Sequence, residues 1–167
     1  MPTTGQRDFE EYARARQHQL YRTAYLLCGD ADRAQDLAQT TLAKLFQHWK
    51  RASRAENLDA YAKTVLSRTF LSEQRSRRRQ HQAYELADGT AAFAHRTDLR
   101  LTLLAALATL PPKPRVMVIL RYWEDLSVES VAALLRCSTG NVKSQCARSM
   151  AKLRVELGDL HLYATES

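Results

Sequence analysis

Apolar side chains recur along this chain at intervals of three and four, the period of one face of an α-helix. From Phe9 to Cys28 the positions Phe9, Tyr12, Leu20, Ala24 and Leu27 form an inward face, and Gly29-Asp30-Ala31-Asp32 ends that helix and opens the next. Arg33 to Trp49 carries one broad stripe of Leu37, Thr41, Leu42, Leu45, Phe46 and Trp49, with Asp32, Asp36, Gln39, Ala43 and Gln47 on the opposite side. Lys50 to Asn57 reads as a polar, basic break. A third helix is predicted from Leu58 to Arg79. Leu58, Ala62, Val65, Leu66 and Thr69 should face inward, and Lys63, Thr64, Ser67, Arg68, Leu71, Gln74 and Arg75 outward.

Periodicity then fades. His81 to Thr97 is small and polar and reads as a linker whose ~17 residues reach ~55–60 Å when extended. Asp98 to Leu110 resumes a helix with Leu99, Leu103, Leu104, Leu107 and Leu110 on one side, which Pro111-Pro112-Lys113-Pro114 is expected to break sharply. Arg115 to Trp123 holds the continuous apolar run Val116-Met117-Val118-Ile119-Leu120, and from Asp159 the chain reads as a frayed tail.

Between these lies the most telling stretch. Ser127 is placed to cap a short helix whose Val128, Val131, Ala132, Leu134 and Leu135 face inward. Arg136-Cys137-Ser138 makes a turn, and Ser138 caps a second helix with Val142, Cys146, Met150 and Leu153 on its inner side. Its outer side shows Thr139, Asn141, Lys143, Ser144, Gln145, Arg148 and Lys152, and from Ser130 to Val155 there is no Asp or Glu. This is the pattern of a helix-turn-helix that lays its second helix in a DNA major groove. Gly140 lets a phosphate approach the backbone, Lys143 and Arg148 suit phosphate or guanine, and Asn141 and Gln145 suit adenine edges. Two ordinary amphipathic helices with a solvated basic face would explain the cations, but not their interleaving with amides and hydroxyls in an acid-free window.

Charge extends the picture. The formal net charge of +7 is uneven: residues 1–81 hold 15 Lys+Arg against 9 Asp+Glu, residues 82–98 hold 1 against 3, and residues 99–167 hold 9 against 6. Two basic lobes joined by a weakly acidic segment fit two contacts with a polyanion. Arg75, Arg77, Arg78 and Arg79 crowd the end of the third helix; its dipole accounts for one or two of them, and a phosphate partner better accounts for four. Cys28, Cys137 and Cys146 make no C-x-x-C pair, and the histidines have no ligand spacing. Neither a disulfide framework nor a metal site is therefore expected, and a reducing cytoplasm is the natural compartment. No apolar run reaches the ~20 residues of a membrane span, and the first residues lack a signal-peptide core. The chain is expected to be all-α, with residues 8–80 and 98–158 as two small helical domains joined by a flexible linker at 81–97.

Two separate segments resemble one family. Leu110-Pro-Pro-Lys-Pro-Arg-Val-Met-Val-Ile-Leu-Arg-Tyr-Trp-Glu-Asp-Leu-Ser-Val and Cys137-Ser-Thr-Gly-Asn-Val-Lys-Ser look like region 4 of the bacterial extracytoplasmic-function sigma factors. Tyr25-Leu-Leu-Cys-Gly-Asp, Ala34-Gln-Asp-Leu-Ala-Gln-Thr-Thr-Leu and Tyr61-Ala-Lys-Thr-Val-Leu-Ser-Arg-Thr look like region 2 of the same family. The resemblance implies a promoter-specificity subunit of RNA polymerase, with core polymerase (through its β′ clamp helices and β flap) and promoter DNA as partners and an anti-sigma factor as a further one. It implies that Asp32, Asp36, Gln39 and Gln47 dock on the β′ clamp helices. The Lys50–Asn57 break corresponds to the loop that captures a flipped −10 base, here with Arg54 and Asn57. Lys63, Arg68, Gln74, Arg75 and Arg78 would then serve the −10 strand. The −35 element would be read by Thr139, Gly140, Asn141, Lys143, Ser144, Gln145, Arg148 and Lys152. Thr40 stands where the family usually carries Glu, and Thr69 where Asn is frequent.

No nucleophile–base pair, carboxylate dyad, phosphate-binding loop or metal motif is present in the sequence, so the expected work is binding and strand separation without a cofactor. Two other readings remain at this level. One is a stand-alone helix-turn-helix regulator of duplex DNA; the other is a helical adaptor for an acidic partner. Two unlike basic lobes suit an asymmetric site better than the palindromes of dimeric repressors.

Overall fold

The structure, a computed structural model, describes residues 3–84 and 99–158. Eight helices follow one another: α1 (Thr4–Cys28), α2 (Ala31–Gln47), α3 (Trp49–Ala52), α4 (Leu58–Tyr84), α5 (Leu99–Ala108), α6 (Pro112–Tyr122), α7 (Val128–Leu135) and α8 (Thr139–Leu157), with no strand among the described residues. The chain divides into two compact units, Met1–Glu73 and Gln74–Ser167, the division falling within α4.

In the first unit, α1 and α2 form a helical hairpin. Gly29 closes α1 at φ 72°, a backbone conformation open to glycine at no steric cost, and its N–H bonds Tyr25 O at 2.8 Å. Asp30 then caps α2, its carboxylate accepting from Arg33 N at 3.0 Å. Leu20, Ala24 and Leu27 of α1 meet Ala34, Leu37, Ala38 and Leu45 of α2, with Leu66 and Phe70 of α4 completing the core. A fully buried Leu or Phe contributes about 1.5–3 kcal/mol. Two cross-ties hold α4: Arg16 of α1 pairs with Asp59 at 3.3 Å, and Lys44 of α2 donates to Thr69 Oγ1 at 3.0 Å.

The inner face of α4 is broader than its predicted stripe. Ala62, Leu66, Ser67, Thr69 and Phe70 are all buried. Ser67, expected to face outward, is inside because α4 meets both α1 and α2. A helix wedged against two partners needs a wider stripe than the predicted single row provides. Phe46 departs the other way: expected inside, it is 49% exposed, its ring 5.0 Å from that of Phe9. The predicted break at Lys50–Asn57 begins inside a one-turn helix, α3, whose Trp49 packs on Phe9 and Tyr12 at 5.5 and 5.7 Å. This aromatic cluster is what folds the start of that segment.

In the second unit α6 is the centre. Its five consecutive residues Val116 to Leu120 are each no more than 1% exposed, as expected of a helix surrounded on all sides. Leu104 and Leu107 of α5, Val131 and Leu135 of α7, and Val142, Cys146 and Leu153 of α8 build the core around it. The proline cluster interrupts the chain for fewer residues than expected. Pro112 and Pro114 lie in the first turn of α6, where a missing N–H loses no bond, so α6 starts before the predicted Arg115. On α8, Ser149 is buried and Met150 only half-buried. Residues 81–84 of the expected linker belong to α4; the rest of that stretch and the expected tail lie outside the described residues.

Candidate nucleic-acid interface

α7 and α8 make a helix-turn-helix whose geometry is set by local caps. Ser127 Oγ accepts from Ser130 N, and Ser138 Oγ from Asn141 N, both at 3.0 Å. Each cap satisfies one of the four amides that a helix start leaves unpaired. With Val142, Cys146, Ser149 and Leu153 buried, α8 is held by one side. The other side carries Thr139, Gly140, Lys143, Ser144 and Arg148, all exposed, with Asn141 and Gln145 half-buried at its edges. Ser144 Oγ donates to Asn141 O at 3.3 Å, and Arg148 Nε donates to Ser144 O at 3.4 Å, so these candidate readers form one row along the helix. A Cβ added at Gly140 would meet nothing nearer than Ser138 Oγ at 4.0 Å, so no neighbour in the fold requires glycine there.

Lys152 is placed differently. Its ammonium donates to Thr109 O at 2.9 Å, at the carbonyl end of α5. Beside it Arg115 donates to Leu110 O at 2.8 Å and to Ala108 O at 3.4 Å. Two cations, from α6 and α8, thus neutralise the negative end of the α5 dipole and satisfy three carbonyls in a row. Sequence reasoning missed this contact because it joins residues 43 apart.

The −10 candidates fall on one loop and one helix. Arg54 and Asn57 are exposed in the loop after α3, and Asn57 Oδ1 accepts from Ala60 N at 3.0 Å as the cap of α4. On α4, Arg68, Arg75 and Arg78 are exposed, and Lys63 and Gln74 half-buried. Thr69 is 4% exposed and its hydroxyl is occupied by Lys44, so any influence on DNA passes through Lys44. Asp32, Asp36, Gln39 and Gln47 are all exposed on α2, with the half-exposed Phe46 adding an apolar edge that the stripe assignment had hidden.

Two groups have perturbed acidities. Burial, aided by the Asp59 carboxylate, pushes the Tyr12 phenol up to about 12. Burial also raises the Cys146 thiol, so this cysteine behaves as a packed apolar group. Among the described residues no cluster of His, Cys, Asp and Glu is built to hold a metal ion.

One helical unit exposes a helix, α8, that carries no acid from Thr139 to Val155, and the other exposes a carboxylate- and amide-bearing helix, α2, the surfaces expected of a protein with a helix-turn-helix and a separate docking face. Comparison with known proteins narrows the class. The Sigma-70 region 2 model matches residues 12–80, and the Sigma-70 region 4 model matches residues 100–153. The chain is 38% identical over 156 residues to an RNA polymerase sigma-E factor of Streptomyces coelicolor, covering 90% of this chain and 86% of that one. It is 35% identical over 137 residues to the sigma factor EcfG of Rhodopseudomonas palustris, covering 78% and 74%. A solved structure of the sigma factor RpoE in complex with the anti-sigma factor NepR, from Bartonella quintana, superposes with a TM-score of 0.75 at 29% identity, covering 90% of this chain and 96% of that one. The chain belongs to the extracytoplasmic-function sigma factors of the sigma-70 family. It is a transcription initiation factor that directs RNA polymerase to promoters.

Proposed function

We propose a division of labour between the two units. α8 enters the major groove of the −35 element, with Thr139, Gly140, Asn141, Lys143, Ser144, Gln145 and Arg148 toward the DNA. Lys152 belongs to the same helix but acts through the carbonyl end of α5. The exposed face of α2, Asp32, Asp36, Gln39 and Gln47 with Phe46, docks on the β′ clamp helices, and the second unit meets the β flap. Arg54 and Asn57 hold an extruded −10 base while Lys63, Arg68, Gln74, Arg75 and Arg78 follow the separated strand. Trapping that base offsets part of an unstacking cost of about a few kcal/mol.

The observation that carries this reading is the exposed face of α8, polar, cationic and without a carboxylate from Thr139 to Val155, on a helix whose other side is buried. The factor works by binding alone, leaves the chemistry to the polymerase and acts in the cytoplasm; no helix of the described residues is long and apolar enough to cross a membrane. An anti-sigma partner is part of the same proposal, since the similar Bartonella sigma factor is found in complex with one.

Run-off transcription with reconstituted core polymerase tests it. Asp36→Arg is expected to lose holoenzyme formation while keeping its helical spectrum, and unchanged holoenzyme formation removes the docking assignment. Arg148→Ala is expected to weaken −35-dependent transcription while polymerase association stays intact. Band shifts with free chain and with holoenzyme separate this mechanism from a stand-alone regulator, which needs no polymerase.

A further inference from the structure

Four described residues have positive φ: Gly29 at 72°, Gly158 at 52°, Asp125 at 55° and Arg136 at 56°. Glycine has no Cβ to clash in that region, and aspartate is among the few side chains enriched there. Arginine is neither. The turn dictates the conformation: Cys137 N donates to Ala132 O at 3.0 Å and Arg136 N to Ala133 O at 3.3 Å, the paired bonds that end a helix through one left-handed residue. Glycine would be the relaxed occupant. The Arg136 side chain is exposed, and among the described residues no carboxylate, carbonyl or ring engages its guanidinium. The turn's bonds would form with glycine as well, so the fold carries the strain of an arginine here without any side-chain bond in return, a pattern associated with functional positions.

What surrounds Arg136 says which function. It lies two residues before Ser138, the cap of α8, within a stretch that has no acid from Ser130 to Val155. We propose that Arg136 is a phosphate clamp, its guanidinium binding a phosphodiester of the promoter duplex beside the base pairs that α8 reads. The proposal rests on the placement of α8 in the −35 groove. Arg136 carries no base information; it fixes the entry end of α8 against the DNA backbone, as phosphate contacts do.

The test is the salt dependence of holoenzyme binding to a duplex carrying the −35 element, from about 50 to 200 mM salt. Each phosphate contact contributes about 0.9 to the slope of log affinity against log salt. Arg136→Gly is expected to lower the slope by that amount, so the wild-type advantage shrinks ~3.5-fold across this range. The same variant should melt a few degrees higher, since its turn is relaxed, which excludes misfolding as the cause. Arg136→Lys should keep the wild-type slope. A wild-type slope in Arg136→Gly overturns the proposal. Gln145→Ala reads the groove placement separately: it should lose preference for the −35 sequence with its slope intact. If Gln145→Ala changes nothing, the placement of α8 fails, while the slope difference still decides for or against the Arg136 contact.

Discussion

Replacing Lys152 with alanine distinguishes a DNA contact from an internal tie at a residue where sequence and structure point in different directions. The ammonium sits 2.9 Å from Thr109 O, one residue past the end of α5. Lys152 is exposed, so water recovers much of the lost bond. An exposed charged contact and a cation at a helix carboxyl end are each worth about 0.3–1 kcal/mol. Together they set a loss of ~1 kcal/mol, and a unit of this size shifts its melting temperature by about 4–8 °C per kcal/mol. Circular dichroism melts of the full chain read that shift, and hydrogen exchange locates it at the end of α5. In the salt titration, Lys152→Ala should keep the wild-type slope, whereas Lys143→Ala should lose about 0.9. If Lys152→Ala instead melts like the wild type and loses that slope, the ammonium leaves Thr109 for a phosphate and the internal tie is refuted.

Other expectations follow from single features. Ser67 Oγ is fully buried without a hydrogen-bond partner, so Ser67→Ala should be neutral or stabilising by up to about 1 kcal/mol in a urea melt; a loss above that size would reveal a bond the hydroxyl makes. Gly140→Ala has room for its Cβ and should stabilise α8 by roughly 0.5–1 kcal/mol while weakening promoter binding in a filter assay. Unchanged affinity there would show that the backbone at Gly140 does not approach a phosphate. Tyr12 holds its proton more tightly in the folded chain, with its acidity pushed to about 12 against an ordinary value of 10.0. Its contribution to stability is therefore complete below about pH 10 and lost as pH rises toward about 12. Tyr12→Phe should flatten that alkaline limb in melts recorded at about pH 9 and 11.

What was legible in the sequence is what a few neighbouring residues decide among themselves. Ser127, Ser138 and Asp30 each bond an amide three residues on, and the spacing of Val142, Cys146 and Leu153 is enough to set which side of α8 is buried. The all-helical architecture and the exposed polar face of α8 come from such local terms. Tertiary structure decided the rest. Ser67 is inside because α4 has two neighbours, which no single-helix period can express. Lys44 reaches Thr69 across 25 residues and Lys152 reaches Thr109 across 43, so both cations, though exposed, bond oxygens that the pattern of their own helices does not reveal. Arg136 looked like one more cation in a basic turn, and only the bonds closing α7 forced its backbone into the left-handed region. Caps and periodicity are energies of adjacent residues and can be read in order. Burial against a second partner and the capture of a distant carbonyl depend on where other helices lie, and that is set by the packing of the whole unit.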